Sequence, residues 1–302
     1  MSISLLERYQ GCLLGLACGD AVGTTVEFQP RGSFAPLTDM VGGGPFKLAP
    51  GQWTDDTSMA LCLAESLLHC DGFDPRDQMN RYVNWWQWGY LSSTGECFDI
   101  GMTTQGALQR YLVTGNPYSG ASHPNTAGNG SLMRLAPVVL FYYPDYQEID
   151  RSARDSSRTT HGAPEAVECC ALFANVLART LTGEPKEALL RTADVSLSER
   201  RVIDLADGNY AQKQREDIVG TGYSVASLET ALWCFQRTDS FEDAILTAAN
   251  LGDDADTTAA ITGQIAGAYY GAGVIPQAWL HKLHARTKIE DLSRRLHDRS
   301  SR

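Results

Sequence analysis

Leu5-Leu-Glu-Arg-Tyr-Gln-Gly11-Cys-Leu-Leu-Gly15-Leu-Ala-Cys-Gly19-Asp-Ala-Val-Gly23 sets a glycine at every fourth position of a helical pattern, and Gly263-Gln-Ile-Ala-Gly267-Ala-Tyr-Tyr-Gly271 repeats that spacing near the other end. A glycine inside a helix costs roughly 1 kcal/mol relative to alanine, so two such stripes persist only where close packing compensates. Removing the side chains from one face lets a second backbone approach it. The spacing therefore predicts two helices at the centre of the molecule, the first packed on the last. That contact would close residues 1–302 into one domain.

Working outward, helical periodicity recurs over residues 5–22, 58–68, 76–90, 103–113, 130–141, 163–181, 225–235, 241–250 and 257–272, whereas strand-like alternation is nowhere sustained. The expected fold is all-α, a compact single-domain helical bundle. Residues 29–53 form one long irregular stretch containing Gly42, Gly43, Gly44 and Pro45, and loops of that length in compact domains are often functional. From Arg286 onward, charges of both signs read as a frayed, solvated helix. A net charge of −11 argues against a broad basic face for nucleic acid or an anionic membrane. The eight cysteines form no CxxC pair and several lie in apolar stretches, the pattern of reduced thiols. With no basic leader and no apolar run of membrane length, the expectation is a cytoplasmic monomer without a membrane span.

Two acidic segments carry the chemistry. Trp53-Thr54-Asp55-Asp56-Thr57 runs into an apolar helix, and helix capping accounts for it by itself, since Thr and Asp favour the N-cap and carboxylates suit the first turn. Gly252-Asp253-Asp254-Ala255-Asp256-Thr257 does the same near the other end, but a cap needs one carboxylate and three are present. Both lie where a helix enters the core, an unfavourable place for uncompensated negative charge. No run of Lys or Arg accompanies either segment, so divalent cations are the expected counter-charge. Hard Asp and Thr oxygens suit Mg2+ or Mn2+, and no HExxH motif or thiolate cluster points to zinc. The carboxylates of Asp55, Asp56, Asp254 and Asp256 would balance two such ions.

Together with Gly11 to Asp20, Glu27, Gly128-Asn129-Gly130-Ser131-Leu-Met-Arg134 and His161-Gly162, these segments resemble the ADP-ribosylglycohydrolase family over almost the whole chain. The resemblance implies a wholly helical fold with a binuclear Mg or Mn centre. It places Thr54, Asp55 and Asp56 on the first metal-binding motif and Asp254, Asp256 and Thr257 on the second. Asp253 stands where glycine is often found and is left out of the ligand set. Glu96-Cys97-Phe98-Asp99-Ile100-Gly101 is similar to the segment that carries a catalytic aspartate in the dinitrogenase reductase-activating branch. This implies a catalytic Asp99 and arginine-linked ADP-ribose as substrate, with Glu27 as a second catalytic candidate. Spacing alone makes Asp99 a turn or capping residue.

Gly101, Gly128, Asn129, Gly130 and Ser131 are candidates to turn backbone N–H groups toward phosphates, with turn formation and a helix cap at Ser131 as the plainer reading. His161 is a candidate donor to phosphate or ribose, and Tyr223 a candidate stacking partner for adenine or simply core. The expected function is metal-dependent removal of ADP-ribose from a mono-ADP-ribosylated protein, most directly from arginine. Alternatives are hydrolysis of serine-linked ADP-ribose or of a small ADP-ribosyl compound, a non-catalytic ADP-ribose-binding relative, and a helical phosphohydrolase.

Overall fold

Ser4 and Glu7 start the first helix with a reciprocal capping box, the Glu7 N–H donating to Ser4 Oγ at 3.2 Å and the Ser4 N–H to Glu7 Oε2 at 2.8 Å. The computed structural model describes residues 3–189 and 195–300. Its helices in chain order are α1 (Leu5–Gly23), α2 (Asp55–Cys70), α3 (Pro75–Trp88), α4 (Met102–Thr114), α5 (Ala136–Tyr142), α6 (Tyr146–Thr160), α7 (Pro164–Thr182), α8 (Lys186–Leu189), α9 (Arg200–Ala206), α10 (Ser224–Arg237), α11 (Phe241–Ala249), α12 (Ala255–Tyr270), α13 (Gln277–Lys282) and α14 (Arg286–Ser300). Among the described residues there is no β-strand, only isolated bridges such as Gly43 with Leu48. No described helix is long and apolar enough to cross a membrane. The fold is all-α and single-domain, as the periodicity predicts.

The glycine stripes meet. Every residue from Gly11 to Gly23 is buried, the condition of a helix surrounded by others on all sides. α1 and α12 run antiparallel with their backbones in direct contact. A Cβ placed on Gly11 would lie 2.1 Å from the Gly267 carbonyl oxygen, on Gly15 2.2 Å from that of Gly263, on Gly19 2.1 Å from that of Ala259, and on Gly23 2.3 Å from that of Ala255. The relation is reciprocal: a Cβ on Gly267 would stand 1.9 Å from the Gly11 oxygen. Dense backbone packing thus offsets the low helix propensity of glycine. It also brings the last turns of α1, with Asp20, against the first turn of α12, with Asp256.

Three segments depart from the periodicity. The helix expected over 130–141 begins only at Ala136; before it lies a turn in which the N–H groups of Leu132 and Met133 both donate to the Asn129 carbonyl, at 2.8 and 3.2 Å. α6 carries little apolar pattern, since its buried face is largely Ser152, Ser156, Ser157, Thr159 and Thr160. α14 is not a solvated tail: Ile289, Leu292 and Leu296 are buried, and the helix packs on α1, α2 and α5. All eight cysteines are unpaired.

Candidate active site

Capping does not explain the acidic segments. Thr54 occupies the N-cap of α2 and Asp254 that of α12, yet neither side chain caps its own helix. α2 is instead capped from outside by the fully buried Asp20 of α1. Its Oδ1 accepts from the Thr54 N–H at 2.8 Å and the Thr54 hydroxyl at 2.9 Å, and its Oδ2 from the Thr57 N–H at 3.0 Å and the Thr57 hydroxyl at 2.6 Å. The single Thr54 hydroxyl proton is committed to Asp20, so its oxygen lone pairs face Asp56 Oδ2 and Asp256 Oδ2, 3.3 and 3.2 Å away. At α12, Asp254 Oδ2 accepts from the Asn129 amide at 2.6 Å. The side chains a helix would have used for its own cap are therefore turned to the space between the two helix ends.

In that space two groups of carboxylates share one member. Single oxygens of Asp55, Asp56 and Asp256 lie within 4.8 Å of one another, as do those of Glu27, Asp99 and Asp256. Burial, then mutual repulsion, drives all of them toward the protonated form: Asp55, Asp56 and Asp256 well above the carboxylate range, Glu27 up to about 10 and Asp99 up to about 7. Asp56 Oδ1 and Asp256 Oδ1 are buried without a hydrogen-bond partner. Unpartnered buried oxygens on adjacent acids fit a divalent cation with oxygen ligands, and the donor set fits a hard ion. These acidic residues can therefore hold a metal ion.

Above them opens a cavity of about 880 Å3 whose lining includes Glu27, Asp55, Asp99, Asp254, Asp256 and Thr257 together with Gly101, Gly128, Asn129, Gly130 and His161. Thr54 and Asp56 lie beneath its floor, fully buried. Gly101 is the N-cap of α4, so the first turn of that helix, Met102 to Thr104, also faces the cavity. A Cβ on Gly130 would come 2.7 Å from His161 Cε1, so glycine there makes room for the imidazole. Burial, and then the Arg134 charge, push His161 down to about 3, which leaves it neutral. Arg134 donates to Thr160 Oγ1 at 2.7 Å and that hydroxyl lies 2.8 Å from His161 Nδ1, an arrangement that places the ring proton on Nε2. Ser131 does not reach the cavity. Its hydroxyl is buried beneath, accepting from Ser157 at 2.9 Å and Cys170 at 3.3 Å, and it caps no helix. Tyr223 lines an adjoining cavity of about 670 Å3 that shares Thr103, Gly128 and Gly222 with the first. Asp253 is exposed in the left-handed region at φ +56°, a conformation that favours glycine.

The ADP-ribosylglycohydrolase family pattern matches residues 1–302. The chain belongs to the ADP-ribosylglycohydrolase family. It is 48% identical over 295 residues to the ADP-ribosylarginine hydrolase Tri1 of Pseudomonas putida (strain GB-1), covering 98% of this chain and 79% of that one. It is 32% identical over 294 residues to the ADP-ribosyl-dinitrogen reductase glycohydrolase of Rhodospirillum rubrum, covering 95% and 94%. The identity to the arginine hydrolase thus exceeds that to the dinitrogen reductase enzyme. A solved structure titled ADP-ribosylglycohydrolase-related protein complex superposes with a TM-score of 0.87 at 45% identity, covering 98% of this chain and 99% of that one.

In this glycohydrolase two site residues take roles that their sequence positions do not announce. Asp20 reads as one letter of a glycine-rich motif, and only its charge within the buried stretch from Gly11 to Gly23 signals a task. Asn129, read as offering its backbone N–H to a phosphate, spends that N–H on the Gly222 carbonyl at 3.0 Å and its side chain on Asp254 and, at 2.7 Å, on Ser227.

Proposed function

We propose that the protein hydrolyses the N-glycosidic bond between C1 of ribose and a guanidinium nitrogen, releasing ADP-ribose from modified arginine side chains of a protein substrate. One observation carries the catalytic reading: two acidic helix ends converge on the floor of one cavity with buried, unpartnered carboxylate oxygens between them. The arginine linkage is supported by the relative named an ADP-ribosylarginine hydrolase, and a protein substrate by the one named for dinitrogen reductase. Thr54, Asp55, Asp56, Asp254, Asp256 and Thr257 would hold two divalent cations, Mg2+ or Mn2+. Such ions, when bound, supply Lewis-acid polarisation and a template for ribose hydroxyls and water.

The chain's own groups do the rest. Asp99 stands beside Glu27 and Asp256 at the open side of the acidic cluster, and a carboxyl raised to about 7 by burial is poised to exchange protons near neutral pH. It takes a proton from the attacking water as the C1–O bond forms and passes it to the guanidine nitrogen as the C1–N bond breaks. Glu27 steers the ribose and the attacking water. Backbone N–H groups at Gly101 and Gly130, with the positive end of α4, accommodate the diphosphate, whereas the Gly128 N–H is spent on the Thr126 carbonyl at 2.8 Å. His161 contributes its Nε2–H, and Tyr223 offers the adenine a ring in the adjoining cavity. Unpaired thiols fit a cytoplasmic enzyme.

The test is incubation with an ADP-ribosylarginine peptide and, separately, a serine-modified one, each with Mg2+, Mn2+ or chelator, reading free ADP-ribose by mass. Metal-dependent release from arginine is expected. Release from serine alone moves the substrate to the other linkage, and inorganic phosphate as the product removes glycoside hydrolysis altogether.

A further inference from the structure

The cavity mouth carries apolar surface that the catalytic reading leaves unused. Phe28, the residue after Glu27, lines the cavity and stays 65% exposed, and Met102, also in the lining, is 89% exposed. Phe28 continues into a chain of rings: its centroid lies 6.4 Å from that of Phe46 at 73°, and Phe46 lies 5.1 Å from Phe98 at 56°. Phe98 is the residue before Asp99. The three rings thus tie the Glu27 and Asp99 segments together through the glycine-rich loop of residues 42–47, and they back the stretch of cavity wall that Phe28 forms.

That wall is held in place at a conformational cost. Phe28 has φ +63°, a left-handed backbone that a bulky residue rarely adopts. It is fixed by the Phe28 N–H donating to the Asp253 carbonyl at 2.7 Å and the Asp253 N–H donating to the Gln29 carbonyl at 2.8 Å. A solvent-facing ring needs no such clamp for packing, and strained backbone of this kind persists where its surroundings over-determine it. The charge pattern names the occupant. The cavity lining includes Glu27, Asp99 and Asp253 and, among the described residues, no Lys or Arg. A flat cation on an apolar stem fits an aromatic face bordered by carboxylates, and guanidinium is the side chain of that shape.

We propose that Phe28, backed by Phe46 and Phe98, is the specificity surface that receives the target's arginine: the guanidinium lies on the exposed Phe28 face. This rests on the arginine reading above. The nucleotide side of the substrate runs the other way, along Gly128 and Gly130 toward Tyr223, so the wall touches the leaving group and not ADP-ribose.

The experiment measures steady-state hydrolysis of an ADP-ribosylarginine peptide by wild type, Phe28→Leu and Phe28→Tyr, together with the inhibition constant of free ADP-ribose for each. Phe28→Leu keeps an apolar side chain but removes the π face. It is expected to raise KM about tenfold, the size of one partly desolvated cation–π contact, with a smaller change in kcat. Phe28→Tyr restores the wild-type KM, and the ADP-ribose inhibition constant stays within twofold in both, which also reports an intact site. An unchanged KM in Phe28→Leu overturns the wall while leaving the arginine reading standing, as does an ADP-ribose inhibition constant that rises in parallel. Absence of release from arginine by the wild type overturns the arginine reading and the guanidinium occupant with it.

Discussion

Replacing Gly19 by alanine separates what the glycine stripe does for stability from what it does for the site. The added Cβ would stand 2.1 Å from the Ala259 carbonyl oxygen and 2.5 Å from its carbon, both backbone atoms that no rotamer change can move. Restoring a 3.4 Å contact requires α1 and α12 to part locally by about 1.3 Å. Overpacking of this kind costs about 1–3 kcal/mol, from which roughly 1 kcal/mol of improved helix propensity must be subtracted. Because Asp20 is the next residue and Asp256 lies one turn from Ala259, the parting also displaces α12 from the Asp20-held end of α2. A misplacement near 1 Å at a reacting centre costs about 10²-fold in rate. Gly11→Ala is the control, with the same 2.1 Å clash at the far end of the helix pair. Thermal denaturation with Mn2+ titration and initial rates measures both variants. The expectation is a similar loss of Tm in both, with the large losses of Mn2+ affinity and turnover confined to Gly19→Ala. Equal functional losses at equal stability, or no destabilisation in either, would refute the reasoning.

Asp99→Asn keeps ADP-ribose binding and loses at least about 10²-fold in kcat, the range expected for removal of a general acid–base group; near-normal turnover in a steady-state assay removes Asp99 from the mechanism. Asp20→Ala frees Thr54 and Thr57 from their common acceptor, so Mn2+ affinity measured by titration calorimetry falls about 10- to 100-fold, the usual effect of losing a group that orients ligands; unchanged affinity makes Asp20 a cap and nothing more. The folded-state pKa values of Glu27 and Asp99 are raised above their unfolded values, so the metal-free native state holds protons that the unfolded chain releases above about pH 4. Metal-free stability therefore falls as pH rises from 5 toward 8, and the Tm gain on adding Mn2+ grows over the same window. Melting curves with and without chelator check this, and a gain that shrinks with pH contradicts it. His161 works the other way: its folded value near 3 removes stability as pH falls below about 6.5, in the metal-free and metal-loaded protein alike.

The helix pair at the centre was legible because a four-residue glycine period has a physical meaning only where two backbones touch. α6 was not, since its core face is made of Ser and Thr whose partners are polar. Thr159 Oγ1 accepts from Gln78, while the Ser156 carbonyl and Thr160 accept from the fully buried Arg134, and hydrophobic periodicity is blind to such a face. α14 hides Ile289, Leu292 and Leu296 among charges that a composition count reads as solvated. At the site, Asp55, Asp56, Asp254 and Asp256 stand out because they exceed what capping needs. The roles of Asp20 and Asn129 depend on partners 34 and 125 residues away, which local pattern does not encode. Ser131 shows the converse: its motif is intact, but the turn after Asn129 points its hydroxyl into the protein.

Asp256 belongs to both carboxylate groups, so removing its charge should disable the whole centre. Electron paramagnetic resonance of Mn2+ titrated into wild type and Asp256→Asn measures this directly. Two bound ions in the wild type, and loss of both in the variant with its helical circular dichroism retained, is the predicted result. A wild type that binds no Mn2+, or a variant that binds as the wild type does, contradicts it.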